Sequence, residues 1–140
     1  MFEALLRAKD KLMINDIPLF INGMTVGVVL FQTAIVAPAV FTSLSGPDSS
    51  VFLRKVFPKF FILIAVLSGL GNVTAITSQD AQAIIISGAT VAFAVFAYLL
   101  IPMTNKSRDE GNEKTFKRLH LASVLLTVAI LILNAVGLVI

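Results

Sequence analysis

The sequence predicts an all-α integral membrane protein, in which a bundle of four transmembrane helices follows an amphipathic helix lying on the membrane surface. Of the 140 residues, 57% are hydrophobic and only 14% are charged, whereas soluble domains usually have roughly 45–50% apolar and about 25% charged residues. Four apolar stretches each reach the roughly 20 residues that a helix needs to cross about 30 Å of hydrocarbon. Little of the chain remains for a second, soluble domain.

Residues 1–16 are predicted to form the interfacial amphipathic helix. Its apolar and charged residues can occupy opposite helical faces, which is typical of helices in the plane of the membrane surface. The apolar residues are Phe2, Leu5, Leu6, Leu12 and Met13, and the charged residues opposite them are Glu3, Arg7, Asp10 and Lys11. A signal peptide is the alternative because basic residues precede an apolar run, but that run is too long for one.

Residues 17–140 are predicted to form the four-helix transmembrane domain. Its spans are expected at about 17–41, 57–76, 83–102 and 119–140. Pro18 and Pro58 fall where the first two spans begin, and a proline in the first turn of a helix costs no hydrogen bond. Pro38 predicts a kink near the end of the first span, because neighbouring helices can satisfy the carbonyl that it frees.

Short polar segments are predicted to separate the spans. Ser45-Gly-Pro-Asp48 is a turn signal between the first two spans, and Thr77–Gln82 forms a tight polar link between the second and the third. Residues 103–118 connect the third span to the fourth.

The basic residues predict the orientation of the bundle. Three of them, Arg7, Lys9 and Lys11, precede the first span, whereas the link between the second and third spans and the C-terminus have none. The other two loops carry Arg54, Lys55, Lys59, Lys106, Arg108, Lys114, Lys117 and Arg118. Because Lys and Arg resist translocation, both termini are expected outside and the two basic loops in the cytoplasm. This distribution favours a topology signal, and we expect no nucleic-acid partner.

The composition and motifs exclude several kinds of chemistry. The chain has no cysteine, so it has no disulfide, thiolate metal site or catalytic thiol. The sequence contains no nucleotide-binding loop, zinc-protease motif or nucleophile elbow. We therefore expect no metal site, cofactor or catalytic residue, and a protein without enzymatic activity is favoured over an enzyme.

Polar residues within the spans are the remaining candidates for a site, because a polar group in lipid needs a partner. Antiparallel threading predicts one layer about five residues, or ~7 Å, from the outer end of each span. This intramembrane polar layer comprises Asn22, Asn72, Ser87 and Asn134, and an inner polar cluster comprises Tyr98, His120 and Ser123. Interhelical hydrogen bonds that hold the bundle together are the favoured role, and a solute or ion site is the alternative.

Two further features are candidates for binding or packing. His120 is the single histidine and is expected in the first turn of the fourth span, where it orients or packs the helix. The alternative is that it relays protons or binds a ligand, including haem as a single axial ligand. Gly23 and Gly27 have the spacing that allows two membrane helices to approach closely, so they predict a helix-packing face.

Four motifs resemble the transmembrane protein 205-like family, a domain of unknown function in small four-helix membrane proteins. The motifs are Val36-Ala-Pro-Ala-Val-Phe41, Phe52-Leu-Arg-Lys-Val-Phe-Pro-Lys-Phe-Phe61, Tyr98-Leu-Leu-Ile-Pro102 and Phe116-Lys-Arg-Leu-His-Leu-Ala-Ser123. The resemblance covers roughly residues 20–140 and implies that Phe57, Pro58, Phe61, Phe116, Arg118, His120 and Ser123 are family-pattern positions.

The chain departs from the family pattern at three positions. It has Leu121 and Thr127 where family members tend to have glycine and asparagine, and Ile101 where they tend to have a charged residue. The resemblance therefore implies a four-helix membrane fold more strongly than an activity.

The predicted function is that of a non-catalytic accessory or structural subunit of a larger membrane protein complex. Its expected partners are the lipid bilayer and other membrane-protein subunits. A small-solute or metal carrier is the first alternative because of the polar residues within the spans, and a haem-linked redox membrane protein is the second because of His120.

Overall fold

The computed structural model describes the backbone of residues 1–140 and the side chains of residues 1–6 and 16–140. Every regular element in this part of the chain is helical. In chain order the elements are α1 (Phe2–Phe31), a π-helical turn (Gln32–Val36), α2 (Ala37–Ser43), α3 (Gly46–Ser78), α4 (Ala81–Asp109) and α5 (Glu113–Val136).

Four helical segments are long and apolar enough to cross a membrane. They are Asp16–Ser43, Gly46–Ser78, Ala81–Asp109 and Glu113–Val136. The all-α class and the four membrane-spanning helices predicted from the sequence are therefore confirmed.

The first transmembrane segment is continuous with the N-terminal helix. Helix α1 runs from Phe2 to Phe31 with Pro18 inside it, so no helix starts at Pro18, where the first span was predicted to begin. A helix satisfies its backbone hydrogen bonds locally, so it can leave the hydrocarbon without a break. Most of the charged side chains in the predicted amphipathic face, including Arg7 and Lys11, lie outside the described residues.

A π-helical turn precedes Pro38 in the first transmembrane segment. The N–H of Ala37 donates to the carbonyl oxygen of Gln32, five residues earlier, and Pro38 follows in the first turn of α2. Pro38 has no N–H of its own to donate. The irregularity is therefore located at the proline that predicted a kink, and single-turn π-bulges are a recognised cause of bending.

Helix α3 begins well before the predicted second span. The Ser45 hydroxyl accepts a 3.3 Å hydrogen bond from the Asp48 N–H, and Pro47 occupies the first turn. The predicted turn is thus a helix cap, and Pro58 lies inside α3 rather than at its start.

The last two helices also differ from the predicted spans at their ends. Helix α4 continues through Pro102 to Asp109. Helix α5 begins at Glu113, after the cap residue Asn112, and ends at Val136. Hydropathy predicts which residues lie in the hydrocarbon, whereas the start of α5 is set by the Asn112 side chain, which accepts a hydrogen bond from the Thr115 N–H.

The predicted link between the second and third spans is shorter than expected. Gln79 adopts a left-handed conformation at φ 58° after α3, and the Asp80 carboxylate accepts a 3.0 Å hydrogen bond from the Ala83 N–H at the start of α4. Only these two residues therefore separate the helices, which makes α3 and α4 close antiparallel neighbours.

The helices form a four-membered ring. Helix α3 packs against α1 and α4, and α5 packs against α4 and α1, so that α3 and α5 lie diagonally opposite. The apolar core contains one or more buried residues from each of α1, α3, α4 and α5: Val29, Phe60, Phe61, Ile64, Ala94, Ala97 and Ile130.

Candidate functional site

The interior of the bundle is apolar towards one end and polar towards the other. The apolar core faces the end that carries the two basic loops. Towards the α3–α4 link, each of the four long helices contributes polar side chains instead. We call this region the polar half and define it as Asn22, Thr25, Ser68, Asn72, Ser87, Thr90 and Asn134.

The Asn72 side chain joins α3 to α4. Its Nδ2 atom donates to the Ser87 Oγ atom and to the Ile84 carbonyl oxygen, both at 3.0 Å. Ser87 in turn donates to the Ala83 carbonyl within its own helix. Two members of the predicted polar layer are therefore brought into direct contact.

Asn134 joins α5 to α4 in the same way. Its Nδ2 atom donates to the Thr90 Oγ1 atom at 2.9 Å and to the Ile130 carbonyl oxygen at 2.8 Å. Both side chains are fully buried, so this interhelical bond is shielded from competing water.

Asn22 joins α1 to the end of α5. Its Nδ2 atom donates to the Gly137 carbonyl oxygen at 3.3 Å. A Cβ atom at position 137 would overlap Asn22 Nδ2 and lie 3.0 Å from Ile86 Cδ1. The absence of a side chain at Gly137 therefore permits this contact.

Three buried polar atoms of the described residues have no hydrogen-bond partner. They are Thr25 Oγ1, Ser68 Oγ and Gln32 Nε2. Thr25 and Ser68 belong to the polar half, whereas Gln32 begins the π-helical turn nearer the apolar core. Unpaired buried polar groups are rare in folded proteins and call for an explanation.

A cleft of about 170 Å³ opens beside the polar half at the α3–α4 link. Its lining includes Asn22, Asp80, Gln82 and Gly137. Asn22 thus contacts both the cleft and the bundle interior, and the carboxylate of Asp80 is the acidic group among the lining residues.

The predicted inner cluster is not joined by hydrogen bonds among the described side chains. Ser123 donates to the Leu119 carbonyl within α5, and Tyr98 is exposed on α4. His120 is also exposed and stacks on Phe116, with ring centroids 5.8 Å apart. The Asn134–Thr90 bond sets the register of the antiparallel helices α4 and α5. In that register Tyr98 is level with Leu126, about 9 Å along the bundle from His120, so these two residues do not share one depth.

The glycine pair in α1 does not form one packing face within the chain. A Cβ atom at Gly23 would lie 3.8 Å from Leu138, whereas one at Gly27 would meet no atom within 4 Å. Gly27 therefore lies on an open part of the helix surface.

The positions named by the family resemblance fall into two groups. The Phe57 and Phe61 rings stack with their centroids 6.3 Å apart, and Phe60 is in edge contact with both. Phe60 and Phe61 belong to the apolar core, and Phe57 packs against it. The Phe116 ring stacks on His120. The guanidinium carbon of Arg108 lies over the Phe116 ring, 5.3 Å from the ring centroid.

One ion pair connects the two basic loops. Arg54 Nη1 donates to Asp109 Oδ2 at 3.1 Å, and Arg54 Nη2 donates to Asp109 Oδ1, so the contact is bidentate. It links the first part of α3 to the last residue of α4 at the basic end.

Thr25, Ser68 and Thr90 complete the polar half but are not in the predicted layer of four residues. The predicted layer was chosen by counting residues from the outer end of each span, which selects side chains at one distance from the membrane surface. The four-residue spacing of Ser68 and Asn72 was the signal that the polar region extends a further turn into the bundle.

The fold and the interior define a class: a small four-helix integral membrane protein whose core is polar near one surface. Residues 20–113 match the family described as a domain of unknown function, DUF4149, and the chain belongs to that family. No curated protein and no solved structure matches the chain.

Proposed function

We propose that this protein is a non-catalytic accessory or structural subunit of a larger membrane protein complex. The observation that supports this is the low burial of α5, for which only 11% of the most apolar segment is buried within the chain, against 33% for α3. Its outward stripe includes Leu121, Leu125, Val128 and Ile132. Such a surface is suited to another apolar transmembrane helix.

The polar contacts support a structural role for the asparagine residues. Asn22, Asn72 and Asn134 each donate a hydrogen bond to a neighbouring helix or to the segment that follows α5. The bonds of Asn72 and Asn134 occupy both N–H groups of each amide, so these donors are not free to bind a substrate.

Gentle detergent extraction from native membranes, followed by sizing and mass spectrometry, tests this proposal. We expect the 15.0 kDa chain to migrate with a larger complex. Leu125→Trp should weaken that association because it enlarges the outward stripe of α5. Leu70→Trp is the matched control, since Leu70 is equally exposed on α3. Migration of the wild-type chain alone or as a small homo-oligomer would contradict a subunit role.

A small-solute carrier is the second candidate. The cleft beside Asn22 and the unpartnered hydroxyls of Thr25 and Ser68 favour it. Flux of small neutral polar solutes into vesicles containing the purified protein is the test. Flux that Ser68→Leu abolishes while the protein stays folded would support the carrier, and vesicles no more permeable than protein-free ones would contradict it.

We also infer a relationship to the transmembrane protein 205-like family. The pattern Phe57-Pro-Lys-Phe-Phe61 lies within the residues that match the domain of unknown function, whereas the pattern around His120 lies beyond them. Sequence comparison of the two families tests this: recurrence of both patterns, in the same order, is expected.

A further inference from the structure

We propose that Thr25 and Ser68 bind an internal water molecule between α1 and α3. Thr25 is 0% exposed and Ser68 is 1% exposed, and neither hydroxyl oxygen has a hydrogen-bond partner in the described part of the chain. Buried water commonly satisfies such groups. This site does not depend on whether the protein is a subunit or a carrier.

The register of α1 and α3 brings the two hydroxyl-bearing residues to the same level. Ile21 lies against Gly71, where an added Cβ would be 3.3 Å from Ile21 Cγ2. The helices are antiparallel, so one turn forward from Ile21 reaches Thr25 and nearly one turn back from Gly71 reaches Ser68. The two hydroxyls make no hydrogen bond with each other, and one bridging water would give both of them a partner.

The other two helices supply polar groups at this level. Asn72 on α3 is bonded to Ser87 on the antiparallel helix α4. About one turn further from the link, Ser68 on α3 is therefore level with Thr90 on α4, and Thr90 is bonded to Asn134 on α5. Asn134 gives both N–H groups to Thr90 and Ile130, and its Oδ1 oxygen remains an acceptor. A buried water typically makes about three hydrogen bonds, and the proposed water would make them with Thr25, Ser68 and Asn134.

The chemistry of the layer favours water over a metal cation. Its side chains are hydroxyls and one amide, without a carboxylate, whereas hard cations such as Ca²⁺ are usually bound by several oxygens that include carboxylates. Asn22 lines the cleft and lies three residues, nearly one turn, from Thr25, so the proposed water would enter from the cleft.

Water-edited solid-state NMR of the full chain in lipid vesicles tests the proposal directly. Magnetisation from water should reach the amides of Thr25 and Ser68 early, but not that of Ile64 in the apolar core. Ser68→Ala should abolish the early signal at Thr25. Ser123→Ala is the control, because Ser123 already donates to Leu119. Wild-type Thr25 and Ser68 amides as dry as Ile64 would overturn the proposal.

The direction of a stability change provides a second test. Thr25→Val should lower the Tm if the hydroxyl binds water, since an existing hydrogen bond is lost. It should raise the Tm if the hydroxyl is unpaired, since an unsatisfied buried group is removed. Thr127→Val is the control. The Thr127 hydroxyl donates to the Ser123 carbonyl in its own helix, so this variant measures the change in Tm when an existing hydrogen bond is lost. A raised Tm would overturn the proposal.

Discussion

At the scale of single residues, asparagine has the geometry needed to join two membrane helices. Its amide offers two N–H donors and one acceptor, and Asn72 and Asn134 each use the donors on one side chain and one backbone carbonyl. In lipid the alternative is an unsatisfied polar group. The interhelical bonds nevertheless contribute only modestly, because the separated helices also find partners.

The bond between Asn72 and Ser87 can be measured by a double-mutant cycle. Asn72→Leu, Ser87→Ala and the double variant should give a coupling of about 0.6 kcal/mol in the free energy of unfolding. Reversible unfolding in mixed micelles is the measurement. A cycle between Asn72 and Thr127 is the control and should give no coupling, and equal values for both cycles would contradict the observed contact.

Gly137 is required for the close approach of α1 to the end of α5. Gly137→Ala should displace Asn22 from the Gly137 carbonyl and crowd Ile86, at a cost of about 1–3 kcal/mol, as for other overpacked sites. Thermal unfolding in detergent measures the loss. Gly27→Ala is the control and should not lower the Tm, because a Cβ there meets nothing within 4 Å; similar losses in both variants would disprove the packing argument.

At the scale of the elements, capping side chains determine where the helices begin. Ser45, Asp80 and Asn112 each accept a hydrogen bond from the backbone N–H three residues later. These caps start α3, α4 and α5 at residues whose side chains replace the missing intrahelical acceptors. Pro58 did not identify the start of α3, because the helix begins at Gly46 and continues through Pro58.

The cap of α3 provides a test at this scale. Ser45→Ala should destabilise the protein by about 1 kcal/mol because the Asp48 N–H loses its acceptor, whereas Ser45→Gly should cost only a few tenths. Chemical unfolding followed by circular dichroism distinguishes the two variants. Equal stability of wild type and Ser45→Ala would show that the cap is unimportant.

At the scale of the whole molecule, the two ends of the bundle differ in chemistry. One end carries the basic loops, the Arg54–Asp109 ion pair and the apolar core. The other has the short link, the cleft and the polar half. The polar half therefore lies near the surface that the distribution of basic residues predicts to be outside.

This orientation can be tested with single cysteines, because the chain has none. Gln79→Cys should react with a membrane-impermeant maleimide added to intact cells, since the link is expected outside. Asn112→Cys in the basic loop should react only after the membrane is permeabilised. The reverse pattern would show that the positive-inside prediction is wrong for this protein.

The sequence was sufficient to predict the all-α class and the presence of four helices long and apolar enough to cross a membrane. Apolar length and helical periodicity are local properties, so they can be read without knowing which helices are neighbours. For the same reason, the sequence identified Asn22, Asn72, Ser87 and Asn134 as one layer but could not assign the partner of each.

Only the tertiary structure decided those partners. The packing of α4 between α3 and α5 places Ser87 against Asn72 and Thr90 against Asn134, and leaves the Thr25 and Ser68 hydroxyls without partners. Depth follows from counting residues along one helix, whereas contact depends on how each helix is rotated towards its neighbours, and that rotation is set by packing of the whole bundle.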